Sequence, residues 1–365
     1  MKIHCRHGGG IYQSIGDQFS AIQDAPKIAA CDVLDAWYPP APSVQEKVRA
    51  HLEWAMRTSP PVHAEGLVAK IAKARNLSID QIVVGGGSSD IIFLLLPFLV
   101  TSRERVVIVQ PAYGEYAHYL RNFTDCEIVP YNTEPFDFAV NIENLIGFVK
   151  ETGATALILV NPCNPTGSSL DNKQMKSLLR DLSGVKIIVD ETYIDYLGPG
   201  QSIENQVSEY PNLTIIKSMS KIYALSGMRV GYAVCSRVLA SQVIPRIPPY
   251  SIGTLGQIAA IAALDEPEYY RQMMGETTIR SQYLQSFLKD IPGIRPLPSV
   301  FNSLLLDLED HLFDAKAIED RARECGILLR DISDQGNQTP GRYLRIAVTH
   351  YEDMDRIIHF FRNLK

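Results

Sequence analysis

The chain has no excess of positive charge. Its 35 lysines and arginines face 41 aspartates and glutamates, for a net charge of −6. Proteins that bind nucleic acid broadly need a basic footprint, so no nucleic-acid partner is expected. Long apolar runs are missing too. The longest, Ile91 to Val100, is interrupted by Pro97, and a membrane-spanning helix needs about 20 residues. No membrane association is expected. The opening MKIHCRHGGG has no apolar core for a signal peptide. Cysteine is scarce: 6 in 365 residues, none in a C-x-x-C pair. That spacing excludes a disulfide framework and predicts mostly buried free thiols in a reducing cytoplasm. The histidines show no metal-ligand spacing, so no metal is expected.

What remains is an ordinary globular composition, 46% hydrophobic and 21% charged. It excludes a disordered chain, a collagen-like repeat and a long coiled coil. Apolar runs bounded by turn residues recur along the first two thirds. Ile82–Val84, Val106–Val109, Glu127–Val129, Ala156–Val160, Val185–Val189, Leu213–Ile216 and Arg229–Val234 read as strands. Helical spacing lies between several of them, as at Met175, Leu178, Leu179 and Leu182. Strands alternating with helices predict an α/β domain with a mostly parallel sheet. The pattern changes near Arg246–Tyr250, RIPPY. Longer helical segments and a few strands follow, which predicts a smaller α+β domain. The expected division is a large domain over 41–245, and a small one made of 1–40 with 246–365.

Four stretches carry chemistry. In Ser218-Met219-Ser220-Lys221, with Arg229 eight residues on, a lysine stands among small hydroxyls at a strand end. Such a lysine can lose its proton and form an imine with an aldehyde, while serines and an arginine suit a phosphate. Asp190 follows an apolar strand, where open α/β sheets place ligands. A carboxylate there can pair with a protonated pyridine nitrogen, and Tyr193 can donate to a ring oxygen. Asn161-Pro162-Cys163-Asn164-Pro165-Thr166-Gly167 is a rigid turn that holds the Asn164 amide. Its N-P-T-G arises by chance in about 10⁻³ of chains this long. Gly85-Gly86-Gly87-Ser88-Ser89-Asp90 lies between a strand and a helix, where free N–H groups seat a phosphate. It is not a dinucleotide fingerprint, because its sixth residue is Asp90. Tyr113, after the next strand, can stack on a flat ring.

The order of glycine loop, tyrosine, N-P-T-G, D-x-x-Y and S-x-S-K-x₇-R resembles the fold-type I enzymes that use pyridoxal 5′-phosphate, in the class I/II aminotransferase branch. The resemblance covers almost the whole chain. It implies a three-layer, aspartate aminotransferase-like large domain and a homodimer with shared active sites. By resemblance Lys221 is the Schiff-base lysine and Asp190 pairs with the pyridine nitrogen. Asn164 and Tyr193 bind the phenolate oxygen, and Tyr113 stacks on the ring. Ser88, Ser89, Ser218, Ser220 and Arg229 hold the phosphate.

Length and C-terminal text look most like histidinol-phosphate aminotransferases and threonine-phosphate decarboxylases. In that group Arg345 binds the substrate α-carboxylate through a bidentate fork. Arg330 reaches the far end of the substrate, often a phosphate. His7-Gly8-Gly9 resembles the N-terminus of the decarboxylases, where a histidine lies near the substrate phosphate. Two features depart from the group. The A-N-x-N-P segment of relatives is Ala36-Trp37-Tyr38-Pro39-Pro40 here, and the tyrosine of their Tyr-Pro pair is Ser59. Trp37 and Tyr38 are therefore expected to offer flat faces to the substrate. The expected function is an aminotransferase acting on an L-amino acid. Decarboxylation, or elimination, replacement or cyclisation on a specialised and even guanidino amino acid, is the alternative.

Overall fold

A computed structural model describes residues 7–134, 136–336 and 340–364. Seven strands form one sheet: β1 (Ile82–Gly85), β2 (Arg105–Gln110), β3 (Glu127–Asn132), β4 (Ala156–Val160), β5 (Lys186–Asp190), β6 (Leu213–Ser218) and β7 (Gly231–Val234). Their order is β1-β7-β6-β5-β4-β2-β3. All neighbours are parallel except β7, which runs antiparallel to both β1 and β6. Every residue of β4 and of β6 is buried. That follows from a sheet covered on both faces.

Alternation along the strands decides which face each side chain serves. Val107, Leu157, Ile187 and Ile215 point to one core, and Ile108, Ile158, Ile188 and Ile216 to the other. Helix α1 (Pro42–Arg57), α2 (Glu65–Arg75), α5 (Ile142–Thr152), α6 (Asn172–Asp181) and α7 (Thr254–Ala263) pack into the first. Helices α3 (Ser88–Leu99) and α4 (Gly114–Phe123) pack into the second. The result is the three-layer α/β arrangement expected from the sequence.

A second sheet is antiparallel throughout: β8 (Arg295–Pro296), β9 (Ser303–Asp307), β10 (Arg330–Asp331) and β11 (Tyr343–Ala347), in the order β10-β11-β9-β8. The C-terminal half of α8 (Pro267–Leu288), α9 (Ala315–Glu324) and α10 (Tyr351–Asn363) share its core through Leu284, Ile318 and Phe361. Ala29–Ala30 pairs in parallel with Ile327–Leu328, and Ala29, Cys31 and Leu34 join this smaller core. A boundary at residue 245 does not match the packing. Ile252, Ala259, Ala263 and Tyr270 are buried with the large sheet, so we place the division within α8.

Among the described residues no helix is long and apolar enough to cross a membrane. Cys5 lies outside the described residues. Of the others, Cys31 and Cys235 are buried and Cys325 is exposed, so burial of the thiols is less general than expected.

Candidate active site

The carboxyl ends of β4, β5 and β6 open onto a cavity of about 220 Å³ at the junction of the two sheets. A parallel sheet delivers its strand ends to one edge, so Val160, Asp190 and Ser218 arrive together. Every side chain singled out from the sequence lines this cavity except Trp37 and Tyr38.

Asp190 is 3% exposed. Its Oδ1 accepts from the Thr192 amide at 3.0 Å and from Thr192 Oγ1 at 2.6 Å, and its Oδ2 accepts from the Tyr116 hydroxyl at 2.9 Å. Burial pushes the carboxyl above its ordinary range, although these donors pull the other way. No described lysine, arginine or histidine pairs with it. A buried carboxylate oriented by three neutral donors is a seat prepared for a cation. Tyr116 was not foreseen in the sequence. It lies in the first turn of α4, three residues beyond Tyr113, which caps that helix, and the two rings meet edge-on with centres 6.4 Å apart.

Lys221 sits in the turn after β6. Burial lowers its proton affinity, Asp35 opposes that effect, and Arg345 and Arg229 add to it; the net direction is down. Its Nζ donates to Asp35 Oδ1 at 2.7 Å. Asp35 lies 186 residues away in the chain, and nothing in the sequence marks it.

The hydroxyls and Arg229 form one wall. Ser88 and Ser89 begin α3, directly after Gly87, whose φ is +99°. A side chain at Gly87 would strike Arg229 Nη2, and one at Gly231 would strike the Gly87 carbonyl carbon at 2.6 Å. Arg229 Nη2 donates to the Gly86 carbonyl at 3.2 Å and Nη1 approaches Ser220 Oγ at 3.4 Å. Ser218 Oγ accepts from the Ser220 amide. Ser89 Oγ lies 3.2 Å from the Tyr113 hydroxyl. Serine hydroxyls, a helix N-terminus and a guanidinium on one wall make an anion seat.

Opposite lie the arginines of the second sheet. Arg345 donates from Nη1 to Asn164 Oδ1 at 2.7 Å and from Nη2 to the Asp32 carbonyl at 2.8 Å. Its Nε is buried without a partner. Burial pulls its pKa down to about 10, which leaves it charged near neutrality. Tyr193 is buried and stacks on Phe301 with ring centres 4.4 Å apart. Arg330 is held by both oxygens of Asp334, at 3.0 and 2.8 Å. His7 Nε2 lies 2.7 Å from Glu115 Oε1.

Trp37 and Tyr38 face elsewhere. The Arg280 guanidinium covers the Trp37 ring at 3.6 Å, and the indole N–H donates to Thr277 Oγ1. Tyr38 is buried, with its hydroxyl on the Ile222 carbonyl at 2.7 Å. The expectation that these rings offer faces to the substrate is corrected: both serve packing between the N-terminal segment and the body of the protein. Tyr38 thereby braces the turn that carries Lys221.

Comparison with known proteins agrees with this architecture. The family model for aminotransferase class I and II matches residues 37–361. A histidinol-phosphate aminotransferase of Methanocaldococcus jannaschii is 24% identical over 89% of this chain and 86% of its own. The crystal structure of histidinol-phosphate aminotransferase from Sinorhizobium meliloti, in complex with pyridoxal-5′-phosphate, superposes with a TM-score of 0.83 at 24% identity, covering 100% of both chains. L-threonine-O-3-phosphate decarboxylase from Porphyromonas gingivalis gives a TM-score of 0.79 at 20% identity, over 92% of this chain and 98% of its own. The last two likenesses speak for the fold. Matched by its family model over most of its length, the chain belongs to the class I and II aminotransferases, enzymes that depend on pyridoxal phosphate.

Proposed function

We propose that this enzyme transfers the amino group of an L-amino acid, with Lys221 as the residue that carries the cofactor and Asp190 as the partner of its ring nitrogen. One observation carries the reading. A buried carboxylate with no cation beside it, an amine prone to lose its proton, and a wall of serines with an arginine all face one cavity.

The residues fit the cofactor. Ser88, Ser89, Ser218, Ser220 and Arg229 would hold its phosphate, Asn164 and Tyr193 its ring oxygen, and Tyr113 its face. Pyridoxal phosphate supplies an aldehyde and a ring that draws in the electrons of a broken α-bond. Asp190 would keep a proton on the ring nitrogen. Lys221 would hold the cofactor covalently and, as a free amine, would take and return the α-proton at Nζ. Arg345, flanked by Asn164, binds the α-carboxylate and orients the substrate. Burial of Tyr193 favours its protonated form, so it donates rather than accepts.

Purified protein mixed with a panel of amino acids tests the reading. Keto acid release, with an absorption change to the amine form of the cofactor, supports it. Protein that stays colourless after the cofactor is supplied overturns it.

Decarboxylation is the second reading, favoured by one observation. His7 lines the cavity because the Gly9 and Gly10 amides both bind Asp32 Oδ2 at 2.8 Å and hold the segment in place. Carbon dioxide release in place of keto acid would decide for it. The homodimer belongs to this proposal as well. Leu52, Trp54 and Met56 are exposed on α1, and the exposed Tyr250 is bonded to Val62 close by in space. Sedimentation of the holoenzyme as a monomer would exclude it.

A further inference from the structure

Both carboxylate oxygens of Asp190 are engaged by groups of this chain. Oδ1 accepts twice, from the amide and the hydroxyl of Thr192, and Oδ2 accepts from the Tyr116 hydroxyl at 2.9 Å. An ionised carboxylate offers about four acceptor sites. The site left over is on Oδ2, beside the hydrogen bond from Tyr116. Tyr116 itself is 0% exposed and does not line the cavity. Its ring belongs to the apolar core that holds Ile158 and Ile188. The hydroxyl therefore reaches Asp190 from the layer behind the strand ends, where the reaction does not take place.

The kind of donor decides what Asp190 can do. Burial without a donor drives a carboxyl toward its protonated form, which cannot pair with a cation. A lysine or arginine at the same distance would have paired the charge already. A neutral hydroxyl does neither: it favours the anion and leaves its charge unpaired. The contact with Tyr116 is among those that pull the Asp190 carboxyl down against the effect of burial. The tyrosine keeps its own proton, because burial and the Asp190 charge both hold it on. It can donate to Asp190 and cannot compete with it as an anion.

We propose that Tyr116 is a positioning residue for the reaction: its hydroxyl fixes Oδ2 of Asp190 as the oxygen that receives the ring nitrogen of the cofactor, and keeps the shared proton on that nitrogen instead of on the carboxylate. The proposal rests on the proposed function, since it takes Asp190 as the partner of the ring nitrogen. Tyr116 acts through Asp190 alone.

Holoenzyme loaded with pyridoxal phosphate labelled with nitrogen-15 in its ring tests the proposal, because the NMR resonance of that nitrogen reports whether it bears the proton. Wild type should show the protonated form. Tyr116→Phe removes the hydroxyl and keeps the ring. It should move the resonance toward the unprotonated form. It should also lower kcat by about tenfold or more, with KM changed by less than about threefold. Replacing Tyr116 by 3-fluorotyrosine keeps the contact with a stronger donor and should move the resonance the opposite way. That substitution carries the test if Tyr116→Phe does not fold. Movement in these directions supports the proposal. A resonance that stays in place in the variant carrying the test, or an unchanged kcat in Tyr116→Phe, overturns it. A wild-type nitrogen that is protonated but indifferent to Tyr116 removes this proposal and leaves the proposed function standing. An unprotonated nitrogen in wild type removes the role of Asp190 in the proposed function, and this proposal with it.

Discussion

Lys221 Nζ lies 2.7 Å from Asp35 Oδ1, and Ser226 Oγ donates to the same oxygen at 2.6 Å. The N-terminal segment therefore reaches over the site and holds the amine that the chemistry needs. Burial and two nearby arginines push the Lys221 proton off, while Asp35 holds it on. Replacing Asp35 by Asn removes the restraint, so the lysine deprotonates at lower pH. The expected outcome is a downward shift in the pH midpoint for attachment of the cofactor to cofactor-free protein. Stopped-flow absorption across a pH series measures it; an unchanged or raised midpoint would count against the assignment.

Lys221 is expected to be the point of covalent attachment. Borohydride treatment of the holoenzyme followed by peptide mass spectrometry should find the cofactor on Lys221. Lys221→Ala should show no such label and no turnover, while still folding, because the side chain is partly open to the cavity.

Asp190→Asn keeps the shape of the side chain but loses its charge. The cofactor should still attach through Lys221. The ring nitrogen would then lack its counter-charge, and kcat should fall by about 10²–10³-fold, the scale seen when one electrostatic stabiliser is removed. Steady-state kinetics beside the absorption spectrum separate this from cofactor loss.

Gly231 is where strand β7 passes behind the loop that precedes α3. A methyl group there would meet the Gly87 carbonyl carbon at 2.6 Å and the Ser88 amide at 2.7 Å. Both contacts are backbone, so the loop must move. Gly231→Ala should cost about 1–3 kcal/mol of stability through overpacking. It should also weaken retention of the cofactor, because the displaced loop carries Ser88 and Ser89. Thermal melting and dialysis equilibrium read the two effects.

Asp195 receives the Arg75 guanidinium at 2.7 and 3.2 Å. Burial alone would raise its pKa, but Lys217 and Arg75 outweigh it and hold it at about 2, below the ordinary 3.8. A depressed folded pKa stabilises the protein above the unfolded value, and that contribution is lost as pH falls through the folded value. Asp195→Asn should therefore cost about 2 kcal/mol near neutrality. The gap from wild type should close as pH drops from about 4 toward about 2. Urea midpoints across that range check it.

The sequence by itself determined the parts that covalent neighbourhood controls. Ala156–Val160 is uniformly apolar and Val185–Val189 is apolar except for Lys186, the pattern of strands covered on both faces. Parallel strands end on one edge, so Asn164, Asp190 and Lys221 had to meet once the alternation of strands and helices was recognised. What only the tertiary structure decided are pairings between distant segments. Asp35 meets Lys221 across 186 residues, and Arg345 meets Asn164 across 181. No local periodicity encodes such contacts, because they depend on how the smaller sheet and the N-terminal segment dock against the larger one. For the same reason Trp37 and Tyr38 were misplaced. Their composition suits a substrate pocket, but the direction of each ring was set by Arg280 and by the Ile222 carbonyl.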